Sequence, residues 1–316
     1  MKRLSVIIPV YNAREHIQRC VDSILPQLKE NDELLLINDG STDDSIDIIK
    51  KIEQQYDCVR VIDKPNEGVA KTRNLGIIEA KGEFVCFIDN DDYVDKEYFE
   101  TYYNEISKGK YDLVMGGYKR VTDQKVLFKV KPVQSLWYQL MVVAPWAKIY
   151  RRQFLIDHKI TFLDYGIGED NYFNFQVYTK TNRVSVINYS GYNWWFNDAS
   201  ISNTSQKGFN EKIDITVLLN RLIELTGNEK PYSYFYVRYV IWYLLFSGRK
   251  SNVTQFMKEY KKGIQWLKVK NISVRFPVFS ESIKGETLKN RCLINIFILF
   301  HRMKSVKIFA SIFCKG

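Results

Sequence analysis

The sequence contains few cysteines, and none of them is spaced for a disulfide framework or a zinc site. Five cysteines are scattered over 316 residues, without a Cys-x-x-Cys pair. Isolated thiols of this kind are typical of a reducing compartment, where they act as small buried apolar residues. The cysteine pattern therefore excludes a small disulfide-stabilised scaffold and predicts a cytoplasmic protein.

Long apolar runs are also missing. No uninterrupted apolar stretch reaches the roughly 18 residues that a membrane-spanning helix needs. The first three residues, Met1-Lys2-Arg3, lead directly into a short predicted strand, so no secretory signal peptide is expected. Internal repeats and low-complexity segments are absent as well. What remains is a globular chain, long enough for one large domain or two modest ones.

Acidic residues are outnumbered by basic ones, 36 to 46, which gives a net charge of +10. A positive charge indicates acidic partners, such as a phosphorylated substrate, an anionic membrane surface or nucleic acid. No nucleic-acid-binding motif accompanies the charge, so nucleic acid is not an expected partner. Aromatic residues make up 15% of the chain. They suit surfaces that are apolar on one side and wet on the other, including sugar-binding pockets and membrane interfaces.

The first 117 residues alternate short apolar runs with segments of helical periodicity. Asn12 and Ser41 stand where helices are expected to begin, as candidate N-terminal caps. Strands that alternate with helices predict a mostly parallel sheet, whose ligands bind beyond the carboxyl ends of its strands. The predicted strands are residues 4–10, 34–37, 59–62 and 83–88. The polar segments that this arrangement places on one rim are residues 9–12, 38–41, 63–68 and 89–92.

After residue 117 the alternation ends. An irregular strand pair is predicted at residues 119–131, and a further strand at residues 183–196. We place a domain boundary near residue 205, in a polar stretch, because the pattern beyond it is helical. The predicted C-terminal helices are residues 213–225, 232–246, 254–266 and 287–313.

Three carboxylates within four residues, Asp89, Asp91 and Asp92, follow the fourth predicted strand. Clustered carboxylates repel each other and raise each other's pKa. A hard divalent cation such as Mg²⁺ or Mn²⁺ removes this cost, usually with one or two carboxylates and the phosphates of a substrate as ligands. A solvated acidic loop, with Asp95 as the cap of the next helix, explains the segment alone equally well.

Polar residues of two other rim segments can likewise be interpreted either as ligand-binding or as purely structural. Asp39, at the end of the second predicted strand, could accept a hydrogen bond from a nucleobase, although an ordinary turn at Gly40 is the simpler explanation. Lys71 and Arg73 lie in the first turns of a predicted helix, where the helix dipole disfavours cations. They are expected to face either a phosphate or the rim carboxylates, and both interpretations stay open.

Four segments in this order and spacing resemble family 2 glycosyltransferases, over about the first two thirds of the chain. The matching segments are residues 5–12 (SVIIPVYN), 38–45 (NDGSTDDS), 66–76 (NEGVAKTRNLG) and 89–92 (DNDD). The resemblance implies an α/β protein with the Rossmann-like GT-A fold, a mostly parallel central sheet flanked by helices, here with a C-terminal helical appendage. It also implies a sugar bound to a nucleoside diphosphate (UDP or dTDP), Mn²⁺ or Mg²⁺, and inversion at the anomeric carbon.

The resemblance assigns roles to individual residues. Asp91 would ligate the metal and complete the family's DxD motif. Inversion requires a general base, and the resemblance gives this role to Asp170, with Glu169 contacting the acceptor or orienting the loop. The expected nucleotide-binding residues are Pro9, Tyr11, Asn12, Asp39, Lys71, Arg73, Asp89 and Asn90. Trp146, Lys148 and Trp194 are predicted to line the sugar and acceptor pocket, although Trp146 is equally well explained as a core residue.

The sequence thus predicts a metal-dependent inverting glycosyltransferase of bacterial surface polysaccharide or glycoprotein synthesis, with a glycan, lipid-linked or protein-linked acceptor. Residues 1–205 would form the GT-A domain, with residues 1–117 as its nucleotide-binding half and residues 118–205 as its acceptor half. Residues 206–316 would form a helical C-terminal region. Two alternatives are a sugar nucleotidyltransferase, which would not need Asp170, and a non-catalytic glycan-binding subunit.

The end of the chain combines apolar and basic residues. From Leu299 onward the apolar positions recur every three or four residues, with Arg302, Lys304 and Lys307 between them. This pattern predicts a basic amphipathic helix that makes peripheral contact with the inner face of the cell membrane. A helix packed on its own domain, or on a second copy of the chain in a homodimer, is the other interpretation.

Overall fold

The computed structural model describes residues 2–196, 208–274 and 283–316. Two compact units divide these residues. The first unit contains residues 2–134, 143–165 and 169–196, and the second contains residues 135–142 and 166–168 together with the described residues after 207. The predicted boundary near residue 205 lies outside the described residues.

The first unit begins with the alternation of strands and helices that the sequence predicts. Each of the four predicted strands is present, because each apolar run is long enough for one buried strand and is followed by polar residues. The strands are β1 (Lys2–Val10), β2 (Asp32–Asp39), β3 (Val59–Lys64) and β4 (Gly82–Phe87). The helices are α1 (Ile17–Ile24), α2 (Ser45–Gln55), α3 (Val69–Glu79) and α4 (Tyr98–Ile106).

A seven-stranded sheet, in the order β10-β6-β9-β4-β1-β2-β3, forms the centre of this unit. Its neighbours are parallel except for β9, which runs antiparallel to β4 and β6. Every residue of β2 is buried, as expected for a strand with both sheet faces covered. The predicted mostly parallel α/β architecture is therefore confirmed. The additional strands are β6 (Leu113–Met115), β9 (Lys148–Arg151) and β10 (Val184–Val186).

A second, four-stranded sheet has the order β5-β11-β7-β8. The antiparallel pair β7–β8 corresponds to the strand pair predicted at residues 119–131. The single strand predicted at residues 183–196 is wrong, because the chain turns between Ile187 and Gly191 and passes from the first sheet to the second. The strands are β5 (Tyr93–Val94), β7 (Tyr118–Val121), β8 (Val126–Val130) and β11 (Tyr192–Trp195).

The three predicted helix caps are wrong. Helices α1 and α2 begin a full turn after Asn12 and Ser41, and neither residue caps them. Instead, Asn12 Oδ1 accepts a hydrogen bond from the backbone N–H of Thr42, at 2.8 Å. Asp95 accepts hydrogen bonds from Lys119 Nζ, at 2.7 and 2.8 Å, and does not cap α4. In each case a partner distant in sequence satisfies the side chain that local spacing had assigned to a helix end.

The remaining helices follow the predictions with one exception. The segment predicted as one helix over residues 287–313 is two helices, separated around Lys304, whose φ is +56°. Two further helices of the first unit are α6 (Arg152–Asp157) and α7 (Glu169–Lys180). The second unit contains α5 (Leu136–Met141), α8 (Ile215–Thr226), α9 (Tyr232–Gly248), α10 (Val253–Val269), α11 (Leu288–Arg302) and α12 (Val306–Phe313). Among the residues that the structure describes, no helix has the length and apolar character needed to cross a membrane.

Candidate active site

Three predicted motifs meet at the carboxyl ends of β1, β2 and β4, where hydrogen bonds join them. Asn90 Nδ2 donates to the carbonyl of Pro9 at 2.9 Å. Asn12 connects the segment after β1 to the segment after β2. Its side chain accepts a hydrogen bond from Thr42 N–H, and its own N–H donates to Ser41 Oγ at 3.1 Å. The rim that parallel strands predict is therefore one connected network of polar groups.

Asp39, at the end of β2, is held by the loop that precedes α3. Its carboxylate accepts the backbone N–H groups of Glu67 and Gly68, each at 2.9 Å, and pairs with the ammonium of Lys64. Burial opposes ionisation, but Lys64 and the Glu67 amide outweigh it and hold the pKa of Asp39 below its usual value. Asp39 thus joins the end of β2 to the end of β3 and to the loop before α3. Its assignment to the nucleobase stays a prediction.

The close approach of the two rim loops depends on Gly40. Its φ is +66°, and a Cβ atom at this position would lie 2.5 Å from the backbone nitrogen of Asn66. A side chain here would meet both backbone strain and a clash that no rotamer relieves. The turn after β2 can therefore approach residues 66–68 only with glycine at this position.

A single guanidinium group, that of Arg73 in α3, joins two carboxylates from different parts of the chain. Nη2 donates to Asp89 at 2.7 Å and Nη1 donates to Asp170 at 2.8 Å. The residue is 4% exposed, and burial alone would lower its pKa, but the carboxylates of Asp170 and Asp89 raise it. The sequence left open whether Arg73 faces a phosphate or the rim carboxylates. In the structure it pairs with the rim carboxylate of Asp89. Lys71 lies apart from this pair and faces Asp164 at 3.4 Å.

Asp170 lies in the first turn of α7, next to Glu169. Burial raises the pKa of Asp170 to about 7, with Glu169 and Asp89 adding to the increase and Arg73 opposing it. A carboxylate with a pKa near 7 is suited to accept a proton at neutral pH, because general bases work best when their pKa is close to the operating pH. The arrangement therefore places a potential proton acceptor beside the acidic segment.

Asp91 and Asp92 have different environments despite being neighbours. Asp92 is fully buried and accepts hydrogen bonds from Tyr192 Oη at 2.6 Å and from the Trp195 N–H at 2.8 Å. It joins the acidic segment to β11, so the solvated-loop interpretation is wrong for this residue. Asp91 is half-buried, and within the described residues it forms no ion pair. Burial and the nearby Asp89 raise the pKa of Asp91 to about 6.

The carboxylates of this segment fit a divalent cation only in the company of a phosphate-bearing ligand. Within the part of the chain that the structure describes, no three Asp, Glu, His or Cys side chains form a metal site. Mg²⁺ sites often use one or two carboxylates and complete their coordination with substrate phosphates and water. Asp91 is an oxygen ligand of the right chemistry, and its negative charge is not neutralised by an ion pair. Asp91 therefore fits a cation site that substrate phosphates and water complete.

The three residues predicted to line a sugar and acceptor pocket differ in exposure. Trp146 is 6% exposed and stacks on Tyr192, with ring centroids 4.5 Å apart, as the core interpretation describes. Lys148 is completely buried and donates to the carbonyl of Ala144. Burial lowers the pKa of Lys148 to about 7, and Asp170 partly offsets the decrease. Of the three, only Trp194 keeps a partly exposed side chain.

Two arginines beside the acidic segment were not identified from the sequence. Arg120 in β7 lies 3.6 Å from the ring centroid of Trp194 and donates to the carbonyl of Trp195 at 3.1 Å. Arg19 in α1 donates to the carbonyl of Asp91 at 2.8 Å and lies over the ring of Trp195. Neither arginine lies in a recognisable sequence motif. Both contact tryptophans of β11, which places them beside the acidic segment. The rings of Trp194 and Trp195 lie against different arginines, as expected for consecutive side chains on opposite faces of a strand.

The first half of the chain matches a known protein family. Residues 5–166 match the family model described as "Glycosyl transferase family 2", a match that ends just before Asp170. The chain is 28% identical to glycosyltransferase GlyA of Streptococcus pneumoniae serotype 4 over 244 residues, which are 69% of this chain and 35% of GlyA. It is 32% identical to the poly(ribitol-phosphate) beta-glucosyltransferase of Bacillus spizizenii over 194 residues, 58% of this chain and 31% of that enzyme. The chain therefore spans about a third of the length of these curated relatives.

A solved structure shows the same fold. The crystal structure of S. aureus TarS 1-349 in complex with UDP-GlcNAc is similar with a TM-score of 0.60 and 20% sequence identity. The similarity covers 88% of this chain and 95% of that chain. At this level of identity the comparison shows the fold. The predicted GT-A architecture is confirmed.

Proposed function

Because the chain belongs to glycosyl transferase family 2, we propose that it is a metal-dependent inverting glycosyltransferase. It would move a sugar from a UDP- or dTDP-sugar to a hydroxyl group of a glycan, lipid-linked or protein-linked acceptor. The similarity to TarS, whose structure contains UDP-GlcNAc, supports the choice of nucleotide. The similarity to a poly(ribitol-phosphate) glucosyltransferase supports a role in bacterial surface polysaccharide or glycoprotein synthesis.

The observation that carries this proposal is the bridge that Arg73 makes between Asp89 and Asp170. Asp89 belongs to the acidic segment after β4, where the sugar nucleotide is expected. Asp170 belongs to α7, where the acceptor is expected. The bridge holds the two carboxylates on either side of one guanidinium, with contacts of 2.7 and 2.8 Å. This arrangement supports an inverting transfer, because it holds a carboxylate for the attacking hydroxyl close to the segment proposed to bind the leaving group.

The carboxylates have different pKa values, which suggests different tasks. Asp39 has a lowered pKa, Asp91 a pKa of about 6 and Asp170 a pKa of about 7. Groups whose environments separate their pKa values are candidates for separate acid, base and binding roles. In the proposed mechanism Asp170 accepts the proton of the acceptor hydroxyl. Arg73 orients Asp170 and favours its ionised form, and Glu169 contacts the acceptor.

The sugar nucleotide would bind along the rim, with Tyr11 exposed beside Pro9 and Asn12. Asp91, with Asp89 nearby, would hold Mn²⁺ or Mg²⁺ together with the diphosphate. When bound, such a cation stabilises the negative charge that develops on the departing nucleoside diphosphate. The residues of this chain orient the sugar nucleotide and keep its diphosphate close to Asp91.

The proposal extends to the organisation of the chain. Residues 1–117 would bind the sugar nucleotide, residues 118–205 the acceptor, and the helices of residues 206–316 would make peripheral contact with the cell membrane. A cytoplasmic location is proposed from the sequence, and the five cysteines are all free thiols. Free thiols are typical of a reducing compartment.

A panel of nucleotide sugars tests the proposed reaction. We expect the protein with Mn²⁺ to release UDP or dTDP from at least one UDP- or dTDP-sugar, slowly to water and faster with a polyol-phosphate or oligosaccharide acceptor. GDP- and CMP-sugars serve as controls and should give background rates. A sugar nucleotidyltransferase would instead cleave the sugar nucleotide with pyrophosphate, giving a nucleoside triphosphate and a sugar 1-phosphate. A non-catalytic glycan-binding subunit would bind oligosaccharides and release no nucleotide.

Replacement of Arg73 tests the bridge through the pH dependence of transfer. The proposed base works when ionised, so kcat/KM should rise with pH through about 7, the pKa of Asp170. Arg73→Met removes a positive charge that lowers this pKa. The rising limb of the pH profile should therefore move to higher pH by about 1 unit or more.

The same substitution should lower the free energy of unfolding by about 2 kcal/mol, between the values typical of exposed and buried ion pairs. Lys81→Met, which removes an exposed lysine beyond the end of α3, is the matched control and should change neither quantity. An unchanged pH profile in Arg73→Met, with activity retained, would contradict the role of Arg73 as a positioning residue for Asp170.

A further inference from the structure

Helix α11 has two apolar faces, of which its own unit covers one. Ile294, Phe297 and Ile298 are buried in the second unit. The exposed face, which we call the C-terminal stripe, consists of Leu293, Ile296, Leu299 and Met303, each between 48% and 65% exposed. Their spacing of three and four residues places them together on the opposite side of the helix. A helix that packs only on its own unit needs one apolar face.

Neighbouring helices of the same unit add further exposed apolar side chains. Trp242 and Phe246 of α9 stack at 4.8 Å, and both line a groove of about 210 Å³ together with Leu293. In α12, Ile308 and Ile312 are 62% and 77% exposed and lie one turn apart. Exposed apolar residues at this density mark a surface that meets a partner protein or a membrane.

The charge around the stripe has one sign. Residues 287–316 contain six Lys and Arg residues and no Asp or Glu. In the described structure, Arg302, Lys304 and Lys307 are exposed and form no ion pair. A second copy of the chain seated on this face would bring two such basic segments together without any acidic residue to offset them. An anionic surface would neutralise the positive charge of these basic residues.

The three cations also line a cavity of about 680 Å³, which Met257 and Val306 complete on its apolar side. A hydrogen bond of 2.8 Å between Tyr260 Oη and His301 Nδ1 lies at its wall. A cavity with several unpaired cations at its edge and apolar side chains beside them matches the chemistry of a lipid phosphate headgroup with its acyl chains.

We propose that α11 and α12 are a docking surface for an anionic phospholipid bilayer, with the C-terminal stripe at the boundary of headgroups and acyl chains and the basic cavity on headgroup phosphates. Interfacial helices bind by this combination of apolar area and attraction to anionic lipid. The inference deepens the proposed peripheral contact with the membrane, on which it rests. It does not depend on the chemistry of sugar transfer.

Co-sedimentation of the full chain with vesicles tests the proposal. At physiological salt we expect binding to vesicles of phosphatidylcholine with a quarter phosphatidylglycerol to be at least about 10-fold tighter than to phosphatidylcholine alone, because several basic residues contribute. Two variants should each weaken the binding by about 10-fold or more. One is the triple variant Arg302→Gln, Lys304→Gln, Lys307→Gln, and the other is the double variant Ile296→Ser, Met303→Ser.

Matched controls come from the first unit. The triple variant Lys81→Gln, Lys96→Gln, Lys125→Gln removes the same charge from exposed positions, and Ile78→Ser removes an exposed apolar residue. Both should bind vesicles like the unmodified chain. All variants should hydrolyse a soluble nucleotide sugar at the unmodified rate. Vesicle binding without any transferase activity would overturn the proposed reaction and leave the docking surface intact.

Three results would overturn the docking surface. The first is equal binding to neutral and anionic vesicles, or no binding. The second is an equal loss in the charge-matched control, which would show a non-specific effect of net charge. The third is a stripe variant that converts a dimer to a monomer in analytical ultracentrifugation without changing vesicle binding, because the stripe would then face a second copy.

Discussion

Asp170→Asn is expected to lower kcat for sugar transfer by about 10²–10⁴-fold, the range that general bases contribute. The affinity for the sugar nucleotide should stay within a few-fold, because Asp170 is proposed to act on the acceptor side. Asparagine has the same size and can still accept a hydrogen bond from Arg73. The change therefore removes the proton acceptor and preserves the local packing.

The expectation rests on the environment of Asp170. Asp170 has a pKa of about 7 because burial, Glu169 and Asp89 oppose its ionisation while Arg73 favours it. At neutral pH a substantial fraction is ionised and basic enough to accept a proton. An exposed aspartate with an ordinary pKa would be ionised but a much weaker base.

Asp164→Asn is the matched control for this experiment. Asp164 is an exposed carboxylate close in sequence and pairs with Lys71 at 3.4 Å. Its replacement should leave kcat unchanged within about 2-fold, as surface substitutions rarely matter. Full sugar transfer by Asp170→Asn would refute the base assignment. If pyrophosphate also cleaved the sugar nucleotide to a nucleoside triphosphate, the sugar nucleotidyltransferase would become the better explanation.

Asp91→Asn is expected to lower kcat by about 10³-fold and to abolish the response of the enzyme to Mn²⁺. A divalent cation contributes several kcal/mol to the stabilisation of a leaving diphosphate, and each 1.4 kcal/mol corresponds to a factor of ten in rate. Asp91 is the proposed ligand because it is half-buried and, in the described residues, not engaged in an ion pair. Removal of its charge should leave the cation without its protein ligand.

The binding of Mn²⁺ by the protein with UDP provides a readout that is independent of turnover. Calorimetry should detect a Mn²⁺–UDP complex on the unmodified protein and at least about 10-fold weaker binding to Asp91→Asn. Asp57→Asn, at an exposed carboxylate between α2 and β3, is the control and should bind like the unmodified protein. Activity that survives both a chelator and Asp91→Asn would exclude the proposed metal role.

The thermal stability of Asp91→Asn offers a check on the electrostatics. Burial and Asp89 raise the pKa of Asp91 to about 6, so above that pH the folded free protein carries an ionised carboxylate at a cost in stability. The neutral amide removes this cost. Asp91→Asn should therefore unfold at the same temperature as the unmodified protein or higher, which would show that its loss of activity is not a loss of folding.

Local patterns were sufficient to predict most of the first unit. The short apolar run Leu34–Ile37, followed by polar turn residues, predicts a buried strand, and β2 contains it. The polar residues after each strand, such as Asp39 and Asp89, then had to share one rim, because parallel strands all end on the same side. These inferences need only the neighbours of each residue along the chain.

Capping and pocket residues could not be predicted in the same way. The spacing of Asn12 and Glu15 is typical of a helix start, but Asn12 bonds to Thr42, and the helix begins later. Trp146, proposed as a pocket wall, stacks on Tyr192 in the interior. For these side chains a partner that is distant in the sequence competes with the local one, and the distant partner decides the outcome.

The sequence by itself determined the four strands β1 to β4 with the helices between them, the rim of polar segments and the family, because these depend on local periodicity and on short motifs. Only the tertiary structure decided that Arg73 bridges Asp89 and Asp170, although 97 residues separate Arg73 from Asp170. Likewise, only the tertiary structure brought Tyr192 to Asp92, across 100 residues. The pKa of a carboxylate depends on the charges and the burial around it in space. The path of the folded chain sets both of these, and spacing along the sequence does not.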